Sequence, residues 1–109
     1  MPATHDDAQL MVQLLRWNDE NGGGEAMKTV FSPDFDAEAA TTYTEGVHQI
    51  LMLGETVGTF VKHGVLDREM LLDLFWMQAM WAKVGPAALK ARAEAGEPRL
   101  YENFEALAQ

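Results

Sequence analysis

Glu45 and His48, in the run Glu45-Gly46-Val47-His48, are the residues whose types and spacing come closest to a catalytic pattern. On a helix, positions i and i+3 share a face. A Glu-x-x-His pair is one half of the carboxylate-rich di-metal sites found in the cores of helical bundles. Such a site needs two of these pairs and two further carboxylates from other helices. This chain has one pair, and its other histidines, His5 and His63, fall near the start of the first predicted helix and the end of the third. Only a second copy related by a two-fold axis can supply the missing half. Glu45 and His48 are therefore read as a surface polar pair. A metal-dependent enzyme with a site shared across a dimer is kept as an alternative, and no cofactor is expected.

Other chemistries lack their residues. The chain has no cysteine, which removes disulfides, thiolate catalysis and cysteine-ligated metals, and fits a reducing cytoplasm. It has no glycine-rich phosphate loop after a strand, no Gly-x-Ser-x-Gly and no His-Glu-x-x-His. No basic region followed by an apolar stretch opens the chain, so no signal peptide is expected. Val47 to Val61 is the most apolar stretch, but His48, Gln49 and Glu55 interrupt it, and a membrane span needs about 20 mostly apolar residues.

The formal net charge is −9, and it is unevenly placed. Residues 1–60 hold ten acidic and two basic residues, whereas residues 61–109 hold seven and six. An acidic first half repels nucleic acid phosphates and anionic membranes, so neither is expected as a direct partner. The simplest reading is a soluble surface. An acidic nucleic-acid mimic or inhibitor protein is a second alternative, resting on this charge alone.

The strongest pointer to a partner is aromatic. Trp76 and Trp81 are five residues apart, about 140° around a helix, so they point in different directions. One suits a core and the other a docking anchor, since tryptophan is enriched among the residues that dominate interfaces. Met77 and Met80 lie beside them at helical spacing. Methionines so placed pack cores, and together with Trp76 and Trp81 they also form the candidate partner face.

These residues must be positioned by helices, because no strand alternation is visible over five or more residues. Apolar positions at helical spacing predict six segments, over 6–19, 25–31, 36–63, 67–84, 86–95 and 99–108. Thr4 or Asp6 suits the first N-cap, and Asn21-Gly22-Gly23-Gly24 ends that helix. Ser32-Pro33 ends the second. The third has the broadest apolar stripe, placing it at the centre of the bundle, with a weak point at Thr41-Thr42. Gly64 suits its left-handed C-terminal cap, and Asp67 the next N-cap, with Leu66 as a hydrophobic staple. The fourth segment is apolar almost all round, so it is buried on several sides or carries an exposed patch. Pro86 suits a first helical residue and Gly96 a C-cap. Gly54 and Gly58, four apart, permit a close helix crossing, against the fourth segment or a second subunit. The expected architecture is a single all-α domain, 1–109, a bundle of five to six helices.

Several runs carry a resemblance. They are Gly54-Glu55-Thr56-Val57-Gly58-Thr59, Val61-Lys62-His63-Gly64-Val65-Leu66-Asp67-Arg68, Trp81-Ala82-Lys83-Val84-Gly85-Pro86-Ala87-Ala88-Leu89 and Arg99-Leu100-Tyr101-Glu102-Asn103-Phe104-Glu105-Ala106-Leu107-Ala108. They resemble a family of small bacterial helical proteins known as a domain of unknown function. The resemblance spans about Leu53 to Ala108, with a weaker echo in Gln9 to Trp17, and Leu-Tyr-Glu-Asn-Phe-Glu is its most specific part. It implies a helical domain and assigns no catalytic or binding residue. Within that span Arg92 is expected to pair with a carboxylate on the last helix. The chain is thus read as a non-catalytic protein-interaction or regulatory module, self-associating as a homodimer.

Overall fold

Side-chain oxygens of N-cap residues fix where two of the helices begin. A computed structural model describes residues 2–109. It holds six helices: α1 His5–Glu20, α2 Gly23–Val30, α3 Val47–Lys62, α4 Arg68–Leu74, α5 Met77–Ala95 and α6 Glu102–Leu107. No strand occurs among the described residues, and none of these helices is long and apolar enough to cross a membrane. The Cα radius of gyration is 13.7 Å, close to the roughly 13 Å of a compact chain this long.

Thr4 caps α1 in a capping box. Its hydroxyl accepts from the Asp7 N–H at 3.2 Å, and its own N–H donates to the Asp7 carboxylate at 2.8 Å. The other Asp7 oxygen accepts from the Asp67 N–H at 3.0 Å. Asp67 in turn caps α4, accepting from the Met70 N–H at 2.8 Å. One carboxylate thus joins the starts of two helices 60 residues apart. The Thr4 backbone N–H, then the Thr4 hydroxyl, hold the Asp7 carboxyl below its ordinary value. A carboxyl depressed on folding stabilises the fold fully above its unfolded value of about 3.9, and that contribution is lost as pH falls through the folded value. Wild type is therefore expected to lose stability more steeply than Asp7→Asn as pH falls from about 5 to 2. Thermal melts across that range with parallel slopes would contradict the assignment.

Three expected boundaries move. The third segment does not start at 36. Residues 31–46 form turns, because side chains there capture backbone N–H groups that a helix would use. Asp36 accepts from the Glu38 and Ala39 N–H groups at 3.1 and 3.2 Å, and Thr44 from the Thr41 N–H at 2.9 Å. Gly46 then takes a left-handed φ of +87°, and α3 starts at Val47. Lys90 of α5 holds this turn region, donating to the carbonyls of Glu38 and of Ala40, the latter at 2.9 Å.

The fourth segment, expected over 67–84, breaks at Phe75-Trp76, with Phe75 extended. On an unbroken helix Leu71 and Met80 would face opposite sides, being nine residues apart. The break lets both reach one core, where Leu71, Met77 and Met80 are all buried. The third correction is at Pro86, which lies inside α5 and does not start a helix. The residue before a proline avoids the helical region because the proline Cδ crowds its N–H and its Cβ. Here that residue is Gly85, which has no Cβ. The Trp81 ring also lies over Gly85, where an added Cβ would come within 2.8 Å of it.

The central place expected for the third helix is observed. α3 packs on α2, α5 and α6, and Val47, Ile50, Leu51, Leu53 and Val57 are buried along it. Gly64 and Gly96 take left-handed φ of +75° and +64° where caps were expected.

Candidate docking face

The most conspicuous residue runs of the sequence meet at α6, and their role there is structural. Gly54 and Gly58 present a groove on α3 in which α6 lies, rather than a crossing with the fourth segment or a second subunit. A Cβ on Gly54 would stand 2.3 Å from the Phe104 ring, and one on Gly58 2.5 Å from the Asn103 carbonyl oxygen. Phe104 is fully buried and meets Trp81 edge to face at 5.0 Å. Between the two glycines Glu55 supplies what a six-residue helix lacks at its start. Its carboxylate accepts from the N–H groups of Asn103 and Phe104, each at 3.0 Å, and from the Asn103 side chain at 2.9 Å. Thr59 accepts a second Asn103 amide hydrogen at 3.2 Å.

Tyr101, ahead of α6, has φ 61°, the one non-glycine residue with positive φ among those described. Burial first, and the Glu55 charge second, push its phenol above the ordinary tyrosine value. Arg92 donates to the Leu100 carbonyl at 2.9 Å and pairs with Glu105 at 3.1 Å, the partnership expected from the sequence. Arg99 bonds Glu102 at 2.9 Å and holds that carboxyl below its ordinary value. Glu55 was not singled out in the sequence. The available signal was a carboxylate in the apolar stretch of α3, between two small residues, which needs N–H donors if half-buried.

Glu45 and His48 are not brought together. Glu45 precedes α3, so the helical face that would join it to His48 does not exist. Both are exposed and line different concavities. Glu45 borders one of about 590 Å³ with Phe35, Asp36 and Ala40, and His48 borders one of about 350 Å³ with Trp17 and Met52. No group of three or more histidines and carboxylates is placed to hold a metal ion among the described residues.

The candidate partner face is divided by the break between α4 and α5. Met77 and Met80 are only 2% and 1% exposed, so neither is available on the surface, because α5 turns its first buried face onto the core. Trp81 is half-buried against Phe104. Trp76 takes the opposite course. It stands at the corner where α4 ends and α5 begins, with 76% of its surface open to water. Leu74, two residues earlier in the chain, is also exposed. Trp76 borders a groove of about 400 Å³ with Leu72, Phe75, Ala79 and Leu107, and Arg68 is the one charged residue among those that line it. The larger concavity near Glu45 is more open, with one half-buried aromatic, Phe35, and its Asp36 carboxylate is already committed to backbone N–H groups. The Trp76 corner is therefore the better candidate for docking. It combines a large exposed apolar side chain with an adjoining apolar groove.

The Domain of unknown function (DUF4760) matches residues 5–109. The match reaches beyond the Leu53–Ala108 region in which the resemblance was strongest and takes in the acidic first half. No curated protein and no solved structure matches the chain.

Proposed function

The chain belongs to the DUF4760 family, a domain of unknown function, and we propose that it acts as a non-catalytic interaction module whose contact face is the α4–α5 corner. The observation that carries this reading is the exposure of Trp76, 76% open beside an apolar groove. An indole held in water forgoes the gain of burying about 150–250 Å² of surface, and a docked partner recovers it. The non-catalytic part of the reading is supported by how the charged groups are used. Asp7, Asp36 and Glu55 accept from backbone N–H groups of their own chain, Arg92 holds Leu100 and Glu105, and Lys90 holds the 38–40 turn. These commitments also reduce the carboxylates of the first half that an acidic mimic would display.

The test places a photo-activatable benzophenone side chain at position 76 in the source cell, with a control at Tyr43, which is 95% exposed. A discrete cross-linked species is expected from position 76 and none from position 43. Equal labelling at both positions, or none at 76, would overturn the reading.

A further inference from the structure

We infer that the concavity between the end of α1 and the start of α3 is a binding site for a neutral sugar. It is separate from the Trp76 corner and is built from side chains that the rest of the fold leaves largely unused.

The sequence places its walls. Trp17, Asn18 and Asn21 follow i, i+1, i+4 spacing at the end of α1, and His48, Gln49 and Met52 repeat that spacing at the start of α3. Residues so spaced cluster on one side of a helical turn, so each helix offers one wall. The space between the walls is about 350 Å³, at the small end of ligand sites, which run from roughly 300 to 1,000 Å³.

The chemistry of the walls selects the ligand class. No carboxylate, ammonium or guanidinium lines this concavity, so neither an anion nor a cation finds a counter-charge there. The concavity near Glu45, by contrast, is lined by Lys28, Asp34 and Asp36 as well. Carboxamides take the place of charges here. Asn18 and Gln49 are half-buried and His48 is exposed, and among the described residues none of these three side chains is hydrogen-bonded within the chain. The Asn21 amide nitrogen donates to the Trp17 carbonyl at 2.8 Å, which leaves the Asn21 side-chain oxygen to accept. A carboxamide carries both N–H donors and an accepting oxygen. A sugar hydroxyl also donates and accepts, so neighbouring hydroxyls match a set of carboxamides. Trp17 and Met52, 37% and 40% exposed, supply apolar surface for the C–H face of a sugar ring. A planar base is held best between two flat faces, and one indole supplies a single face.

Asn18 is also fixed before any ligand arrives. Gly23, buried at the start of α2, has no Cβ, and the Asn18 carboxamide occupies the space a Cβ would take. A group already in place lowers the ordering cost of binding.

Amide NMR spectra of the isotope-labelled whole chain test this, read at the Trp17 indole N–H and the side-chain amides of Asn18, Asn21 and Gln49. The probes are glucose, galactose, mannose, N-acetylglucosamine, maltose and cellobiose, titrated to about 50 mM to cover millimolar dissociation constants. At least one should give saturable shifts confined to the two walls. Trp17→Ala should weaken that binding by roughly tenfold or more, and Gln49→Ala by roughly fivefold. Tyr43→Ala, at an exposed aromatic outside the site, should leave it unchanged. Circular dichroism melts confirm that each variant is folded, and Gln49→Ala keeps the test open if Trp17→Ala is not.

Glucuronate and adenosine are the charged and planar comparisons. No saturable shift with any of these sugars, tighter binding of glucuronate or adenosine than of the neutral sugars, or binding that survives both substitutions would overturn the inference. The cross-link at position 76 reads the interaction proposal separately, so either can fail without the other.

Discussion

Replacing Phe104 with alanine is expected to cost the fold about 3–5 kcal/mol, the usual range for emptying a fully buried phenylalanine site. Phe104 has no exposed surface, lies in the space left by Gly54 and meets Trp81 edge to face. The loss would be a fifth or more of the stability of a typical domain, about 5–15 kcal/mol. It should lower the melting temperature by roughly 10–20 °C in a chain of this size. Gly54→Ala supplies a second arm. A methyl group there would meet the Phe104 ring at 2.3 Å, so in wild type it should cost about 1–3 kcal/mol through overpacking. Once Phe104 is alanine, the methyl group enters vacated space. The double variant is therefore expected to be more stable than the sum of the single effects by at least about 1 kcal/mol. Urea unfolding of all four proteins measures this, and strictly additive effects would rule out the ring-in-groove contact.

Glu55→Ala is expected to destabilise the protein by about 2–4 kcal/mol. It strips the acceptor from the Asn103 and Phe104 N–H groups and from the Asn103 side chain, all in a part-buried setting. A bond to a charged acceptor is worth about 1.5–3 kcal/mol, and N-cap loss alone about 0.5–2 kcal/mol, with overlap between the two. Glu55→Gln retains one oxygen, and that oxygen can still accept both backbone N–H groups, so the loss should fall to about 1 kcal/mol. Hydrogen exchange separates a local effect from a global one. In Glu55→Ala the amides of residues 103–107 should lose protection before those of α3. Equal effects of alanine and glutamine, or unchanged protection in α6, would show that the carboxylate does not hold this helix.

Much of the local architecture was legible in the residues. Thr4 with Asp7 and Asp67 with Met70 are contacts over three positions, and the glycine caps at Gly64 and Gly96 are set by their own backbone. Such signals need no knowledge of where the rest of the chain lies. The apolar stripe of α3 announced its central place, and Arg92 announced a carboxylate partner among the acids shortly after it.

What the residues left open depends on direction in space. Glu55 finds its donors 48 and 49 positions along the chain, so no local pattern marks it as the cap of α6. Residues 67–84 are apolar on nearly every side, so their periodicity does not say which side meets the core. The core decided that by breaking the helix at Phe75-Trp76, which buried Met77 and Met80 and turned Trp76 outward. Pro86 lies inside a helix, where Gly85 has no Cβ to meet the proline ring and the burial of Val84, Ala87 and Ala88 around it offsets the lost hydrogen bond. Sequence alone determined an acidic, all-helical chain with its caps at Thr4, Gly64, Asp67 and Gly96. The tertiary structure decided which apolar residues remain in water, because burial is settled by competition among all the helices for one interior.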